Sequence, residues 1–92
     1  MADDPLFLGL DSSTQSLKAI LIDDRLAVVG EWSVNFDADL PHYRTRGGVH
    51  AAADGLTVTS PARMWVEALD RLLGTMRAAR CPFDRIAAVS GS

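Results

Sequence analysis

The sequence predicts an α/β fold in which one sheet combines antiparallel and parallel strands. Three strand-like segments, about 6–11, 17–23 and 26–36, follow one another through short turns, as in an antiparallel meander. An amphipathic segment at about 61–79 then predicts a crossover helix, and a last strand-like segment follows at about 86–90. A strand that is reached through a helix usually runs parallel to its neighbour. One helix would therefore cover one face of a four-stranded sheet.

The composition is that of a small globular domain without a basic surface. The 92 residues are 48% hydrophobic and 23% charged, which argues against disorder. The net charge is −3 and the nine Lys and Arg residues are scattered, so we expect no nucleic-acid partner. No apolar stretch reaches membrane-spanning length and the first residues are acidic, which predicts a cytoplasmic protein without a membrane partner. Cys81 has no second cysteine to pair with, and it forms no metal-binding spacing with His42 and His50.

Residues 11–16 are six consecutive polar residues between the first two predicted strands. Asp11 offers a carboxylate oxygen of the kind that Mg²⁺ or its bound water accepts, and the turn offers N–H groups and hydroxyls to a phosphate. Lys18 adds a cation at the start of the second strand. The alternatives are an ordinary hairpin turn, which also favours Asp, Ser and Thr, and a solvated lysine.

The segment 37–59 has neither helical nor strand periodicity, and it contains one proline and three glycines. This pattern predicts a long structureless loop, which in a compact domain is functional or mobile. Ser60 and Pro61 then predict a helix start, with Ser60 as the N-cap and Pro61 as the first helical residue.

The helix is predicted to bury one apolar stripe. Its members recur at helical spacing: Met64, Trp65, Ala68, Leu69, Leu72, Leu73 and Met76. Trp65 is therefore interpreted first as a core residue rather than a ligand contact. On the polar side, Glu67 is spaced to form ion pairs with Arg63 and Arg71.

A meander, a crossover helix and a further strand, in this order, open a ribonuclease H-like domain, the fold of the actin-like ATPases. Residues 9–16 (GLDSSTQS), together with Lys18, resemble the first phosphate motif of the FGGY carbohydrate kinases. More specific strings in the long loop and the helix resemble the eukaryotic-type xylulose kinases within that family: FDADLPHY (36–43), GGVH (47–50), DGLTVTSP (54–61) and MWV (64–66). The resemblance covers roughly residues 7–92.

This resemblance implies a site and a reaction. Asp11 matches the aspartate that holds the Mg²⁺ of Mg·ATP near the transferring phosphate, while Ser13, Thr14 and Gln15 match the turn that meets the phosphates. Lys18 falls where related kinases carry a basic residue. The implied reaction transfers the γ-phosphate of ATP to D-xylulose. Family members commonly carry glycine at position 13, so Ser13 raises the question whether the backbone there needs positive φ.

The resemblance also implies that the domain is incomplete. Family members are roughly five times longer and have two domains, so residues 1–92 are expected to be an N-terminal part of a kinase. The catalytic base, the adenosine site and most sugar contacts would lie downstream, and the piece alone would be inactive. The sequence ending, Ser90-Gly91-Ser92, favours this interpretation. The alternative is a stand-alone nucleotide-binding or interaction module of the same fold.

Overall fold

A computed structural model describes residues 4–52, 55 and 58–92 of the chain. The elements in chain order are β1 (Leu6–Ser12), β2 (Ser16–Asp23), β3 (Val28–Asn35), α1 (Phe36–Asp39), a 3₁₀ turn (Pro41–Tyr43), β4 (His50–Ala51), β5 (Val58–Thr59), α2 (Ala62–Ala78), a second 3₁₀ turn (Phe83–Arg85) and β6 (Ile86–Gly91). Four strands form one sheet in the order β3-β2-β1-β6, and β4 pairs with β5. β1, β2 and β3 are antiparallel, whereas β6 runs parallel to β1. The predicted α/β fold with a mixed sheet is confirmed.

The alternation of side chains along β1 and β2 gives the sheet a covered face and an open face. Leu8 pairs with Leu21, and both are buried under α2. Successive side chains of a strand point to opposite faces, so Asp11, Lys18 and Ile20 lie on the open face. Ile20 is accordingly 36% exposed. The polar end of this open face carries the predicted site.

β3 begins at Val28, not at residue 26 as the sequence predicted. The Asp23 Oδ1 atom accepts hydrogen bonds from the backbone N–H groups of Arg25 and Ala27, each at 2.9 Å. Leu26 has a φ of 67°, which a strand does not allow. The turn between β2 and β3 therefore extends through Ala27.

Helix α2 buries one ridge of its apolar stripe. The fully buried residues recur at every fourth position: Met64, Ala68, Leu72 and Met76. Leu69 and Leu73 are 38% and 37% exposed, so the prediction that they belong to the buried stripe is wrong. The helix packs over β2 and β3, which places only the central ridge against the sheet.

The start of α2 differs from the prediction. The helix begins at Ala62, Pro61 is its N-cap, and no side chain caps it. Ser60 is not the cap, because its hydroxyl donates to the Gly48 carbonyl oxygen at 3.1 Å and accepts from Trp65 Nε1 at 2.8 Å. The Trp65 ring also packs edge-on against Phe36, with 4.7 Å between ring centroids.

The prediction of a structureless segment at 37–59 is wrong for much of its length. Asn35 caps α1 by accepting from the Ala38 N–H at 2.9 Å, and Asp39 Oδ2 accepts from the Asn35 N–H at 2.8 Å. These reciprocal bonds resemble a capping box with its acidic residue one position later, at N4, and the sequence pattern of apolar residues does not reveal them. Buried Phe36 and Leu40 anchor the helix to the core. Residues 53–54 and 56–57 of the predicted loop lie outside the described residues.

No helix among the described residues combines the length and the apolar character needed to cross a membrane.

Candidate functional site

The five predicted site residues lie at the hairpin between β1 and β2. Asp11 is near the end of β1, the three-residue turn 13–15 follows, and Lys18 is near the start of β2. Asp11 and Lys18 are direct partners in the antiparallel register, so their side chains share the open face of the sheet. All five side chains are exposed. The hairpin therefore presents a carboxylate and a cation to solvent beside a polar turn.

Ser13 closes the turn with its own side chain. Its Oγ accepts hydrogen bonds from the backbone N–H groups of Gln15 at 3.3 Å and Ser16 at 3.2 Å, and its N–H donates to the Ser16 carbonyl oxygen at 2.9 Å. A serine hydroxyl that caps its own turn is a common reason for serine at such a position. Among the described residues, positive φ at non-glycine positions occurs at Leu26, Arg44 and Arg80, not at Ser13. Serine therefore fits here without backbone strain.

Ser92, directly after β6, forms hydrogen bonds with Asp11 and Ser12 at the end of β1. The Ser92 hydroxyl donates to Asp11 Oδ1 at 3.2 Å, and the Ser92 carbonyl oxygen accepts from the N–H of Ser12 at 2.9 Å. β6 brings Ser92 to this position because it runs parallel to β1. Ser92 is not among the site residues predicted from the sequence. The available signal was a small polar residue directly after a strand predicted to join the same sheet.

The start of α1 and the long loop after it both contact the backbone of the turn 13–15. The Phe36 N–H donates to the Gln15 carbonyl oxygen at 3.0 Å, and Gly48 lies against the backbone of Thr14. Neither contact was predicted, because both join segments that are far apart in the sequence. Of the site residues, Gln15 thus has its carbonyl oxygen occupied, while its side chain remains exposed.

The donor set at Asp11 suits a metal that is bound together with phosphates. Within the described residues there is no group of three or more His, Cys, Asp or Glu side chains that could hold a metal ion. Mg²⁺ commonly binds through one or two carboxylates and completes its shell with water and substrate phosphates. One exposed carboxylate beside a turn fits a Mg²⁺ site that is completed by water and phosphates. It does not fit a metal site built from protein ligands alone.

The histidines and the tyrosine of the long loop serve another contact. His42 Nε2 lies 2.8 Å from Glu67 Oε2 on α2. The sequence predicted that Glu67 would pair with Arg63 and Arg71 of its own helix, but its ion-pair partner here is this loop residue. Hydrogen bonds from Tyr43 and His42 lower the pKa of Glu67, and the bond to Glu67 raises the pKa of Tyr43. His50 Nε2 bonds the Tyr43 carbonyl oxygen at 2.6 Å. His42 and Tyr43 thus tie the loop to α2 through Glu67, and the His50 bond holds the loop to itself.

Comparison with known proteins finds close sequence relatives. The chain is 51% identical to the xylulose kinase of Mus musculus over 85 residues, 46% identical to xylulose kinase 2 of Arabidopsis thaliana over 91, and 45% identical to the xylulose kinase of Saccharomyces cerevisiae over 92. These alignments include 92%, 97% and 100% of this chain, but the chain spans only 15–16% of the length of these relatives. No sequence-family profile matches it. The resemblance to the xylulose kinases, on which the site assignment rests, is thus confirmed over nearly the whole chain.

Proposed function

We propose that the chain is the phosphate-binding part of a xylulose kinase, which transfers the γ-phosphate of ATP to D-xylulose and yields D-xylulose 5-phosphate. The relatives' names support this activity. Placement in the ribonuclease H-like fold is supported by the order of elements, in which a meander and a crossover helix precede β6, parallel to β1. Placement in the FGGY family is supported by the resemblance of residues 9–16 and Lys18 to its first phosphate motif. A single cysteine and the composition support a cytoplasmic location.

The observation that carries the proposal is the polar corner at the β1–β2 hairpin. Asp11 and Lys18 lie opposite each other on the open face, and the turn 13–15 presents exposed hydroxyl and amide groups beside them. Phosphoryl transfer depends on positioning and on neutralising phosphate charge rather than on covalent chemistry by the protein. Such a corner supplies the acidic group, the cation and the polar turn that this task requires.

Each residue has a proposed role. Asp11 would hold Mg²⁺, through water, and Ser92 orients its carboxylate by donating to Oδ1. Bound Mg²⁺ would neutralise charge that develops on the phosphates during transfer. Thr14 and Gln15 would contact the phosphates, with Ser13 closing the turn behind them. Lys18 would act as a point charge toward the same groups.

The catalytic base and the sugar site are proposed to come from the rest of a family-length protein, that is, a protein that contains this chain and is as long as the xylulose kinases it matches. Transfer to a sugar hydroxyl needs a base that accepts the hydroxyl proton and a site that positions the sugar. The relatives are more than six times the length of this chain, since it spans 15–16% of them. We therefore expect the 92-residue chain alone to have no kinase activity.

The test compares two proteins in a coupled assay of ADP release with Mg·ATP and D-xylulose. A family-length protein that contains this chain should phosphorylate D-xylulose, and the 92-residue chain should not. Turnover by the short chain that survives repurification would contradict the incomplete-kinase proposal. Nucleotide binding by both proteins without any sugar phosphorylation would instead support a stand-alone nucleotide-binding module.

A further inference from the structure

The Asp37 carboxylate organises the part of the loop that lies behind the phosphate-type turn. Its Oδ2 atom accepts from the Gly47 N–H at 2.7 Å, and its Oδ1 atom accepts from the Gly48 N–H at 3.1 Å. Oδ1 also accepts from the Thr45 hydroxyl at 2.7 Å, and Thr45 is buried. The pKa of Asp37 is lowered, first by the bond from Thr45 and then by the two backbone bonds. Asp37 is therefore an anion that holds three donors of one loop.

The two glycines must have their observed backbone shape for this arrangement. Gly47 and Gly48 have φ values of +59° and +80°, which direct their successive N–H groups at one carboxylate. Residues with a side chain rarely adopt such values. The pair Gly47-Gly48 is thus a small anion-binding nest whose anion is Asp37.

Gly48 transmits this arrangement to the turn by direct backbone contact. A Cβ atom on Gly48 would lie 1.6 Å from the Thr14 carbonyl oxygen and 2.7 Å from the Thr14 carbonyl carbon. The Thr14 peptide therefore rests on Gly48 with no room for a side chain between them. On its other side the Gly48 carbonyl oxygen accepts from Ser60, which in turn accepts from Trp65 of α2.

The turn is thereby held between three elements. Ser92, directly after β6, holds Ser12, the residue that precedes the turn, by accepting from its N–H. The start of α1 holds the last residue of the turn, because the Phe36 N–H donates to the Gln15 carbonyl oxygen. Gly48 lies directly against the backbone of the middle residue, Thr14. Removing this support would leave the peptide of Thr14 free to shift against its neighbours.

We infer that Asp37 and Gly48 are positioning residues for phosphoryl transfer, which hold the backbone of Thr14 where the turn meets the nucleotide phosphates. This inference rests on the proposed function of the turn and extends it to two residues that touch no substrate. Misplacement of a reacting group by about 1 Å can reduce a rate by about a hundredfold, so distant support of this kind affects turnover.

The experiment uses a family-length protein that contains this chain and a matched pair of glycine variants. Gly48→Ala and Gly55→Ala both place alanine at positive φ, but a Cβ at Gly55 would meet nothing within 4 Å. We expect Gly48→Ala to lower kcat about ten- to a hundredfold while the KM for D-xylulose stays near wild type, and Gly55→Ala to stay within about twofold in both constants. All assays are run at a temperature where circular dichroism shows the variant folded.

Asp37→Asn tests the same support of the Thr14 backbone without placing a side chain against it. It keeps the size of the side chain but replaces one acceptor oxygen with a donor, so it should lower kcat in the same direction. Because both residues act on one peptide, the double variant Asp37→Asn/Gly48→Ala should lose less than the product of the two single losses. This coupling would not arise from two unrelated losses of stability.

The outcomes separate the inference from the function beneath it. Folded Gly48→Ala and Asp37→Asn proteins with wild-type kcat would overturn the inference while leaving the kinase assignment intact. If Gly48→Ala does not fold, Asp37→Asn decides alone by the same criterion. A family-length wild-type protein that does not phosphorylate D-xylulose would overturn the proposed function, and the positioning role with it.

Discussion

Asp37 has a role that depends on its partners rather than on its place in the sequence. It follows β3 and reads as an ordinary polar residue at the start of a loop, yet its three bonds come from positions eight, ten and eleven residues further on. The sequence predicts Asp11, Ser13, Thr14, Gln15 and Lys18 as site residues because they are adjacent and resemble a known motif. It gives no comparable signal for Asp37, Gly48 and Ser92, because their contacts exist only after the chain has folded.

The lowered pKa of Asp37 predicts a pH-dependent contribution to stability. A carboxylate whose pKa is lower in the folded state stabilises that state above its unfolded pKa, and the contribution is lost as the pH falls through the folded value. The thermal unfolding midpoint of Asp37→Asn should therefore lie below that of wild type at pH 7, and the difference should shrink below about pH 4.

Thermal melts of both proteins between pH 7 and about pH 3 measure this difference. Asp70→Asn, which alters an exposed carboxylate on α2, is the charge-matched control. A gap between Asp37→Asn and wild type that stays constant over the whole range would show that the Asp37 charge has no part in stability.

At the scale of elements, α2 separates what periodicity can predict from what it cannot. Helical spacing correctly predicted that Met64, Ala68, Leu72 and Met76 face the core. It could not predict how the helix sits over the sheet, and so it included Leu69 and Leu73, which lie on the flank. The helix start was misjudged for a similar reason, since Ser60 has a tertiary partner that outweighs capping.

The two neighbouring leucines give a direct comparison in the 92-residue chain. Leu72 is fully buried and Leu73 is 37% exposed, so Leu72→Ala should lower the free energy of unfolding by about 2–4 kcal/mol and Leu73→Ala by less than about 1 kcal/mol. Urea unfolding followed by circular dichroism measures both. Equal losses would mean that α2 is not seated on the sheet as described.

At the scale of the whole molecule, the sheet has one covered face and one open face. The order of elements and the alternation in β1 and β2 were sufficient to predict the mixed sheet. The described parts of the segment 37–59 were not predictable, because their structure comes from specific bonds, such as the reciprocal bonds of Asn35 with Ala38 and Asp39, and not from a repeating pattern. The same holds for the candidate site. Its exposed residues lie close together in the sequence, between 11 and 18, whereas the residues that hold them, Asp37, Gly48 and Ser92, lie far from them.

The proposal that the β1–β2 hairpin holds Mg²⁺ and the phosphates during phosphoryl transfer is tested most directly at Asp11. Asparagine keeps the size of the side chain, an acceptor for Ser92 and good turn propensity, but it removes the charge. In a family-length protein we expect Asp11→Asn to lower kcat by about a hundredfold or more at saturating Mg²⁺, because charge neutralisation matters most as the phosphoryl group departs. Thr14→Ala should cost less, since it removes one hydroxyl and leaves the turn backbone in place.

The deciding measurement is the steady-state kcat of Asp11→Asn relative to wild type, with D-xylulose and Mg·ATP saturating and the fold verified by circular dichroism. A large fall in kcat for a folded variant, exceeding that of Thr14→Ala, is the result we predict. A folded Asp11→Asn protein with near-normal kcat and KM would contradict the assignment and leave Asp11 as an ordinary turn residue.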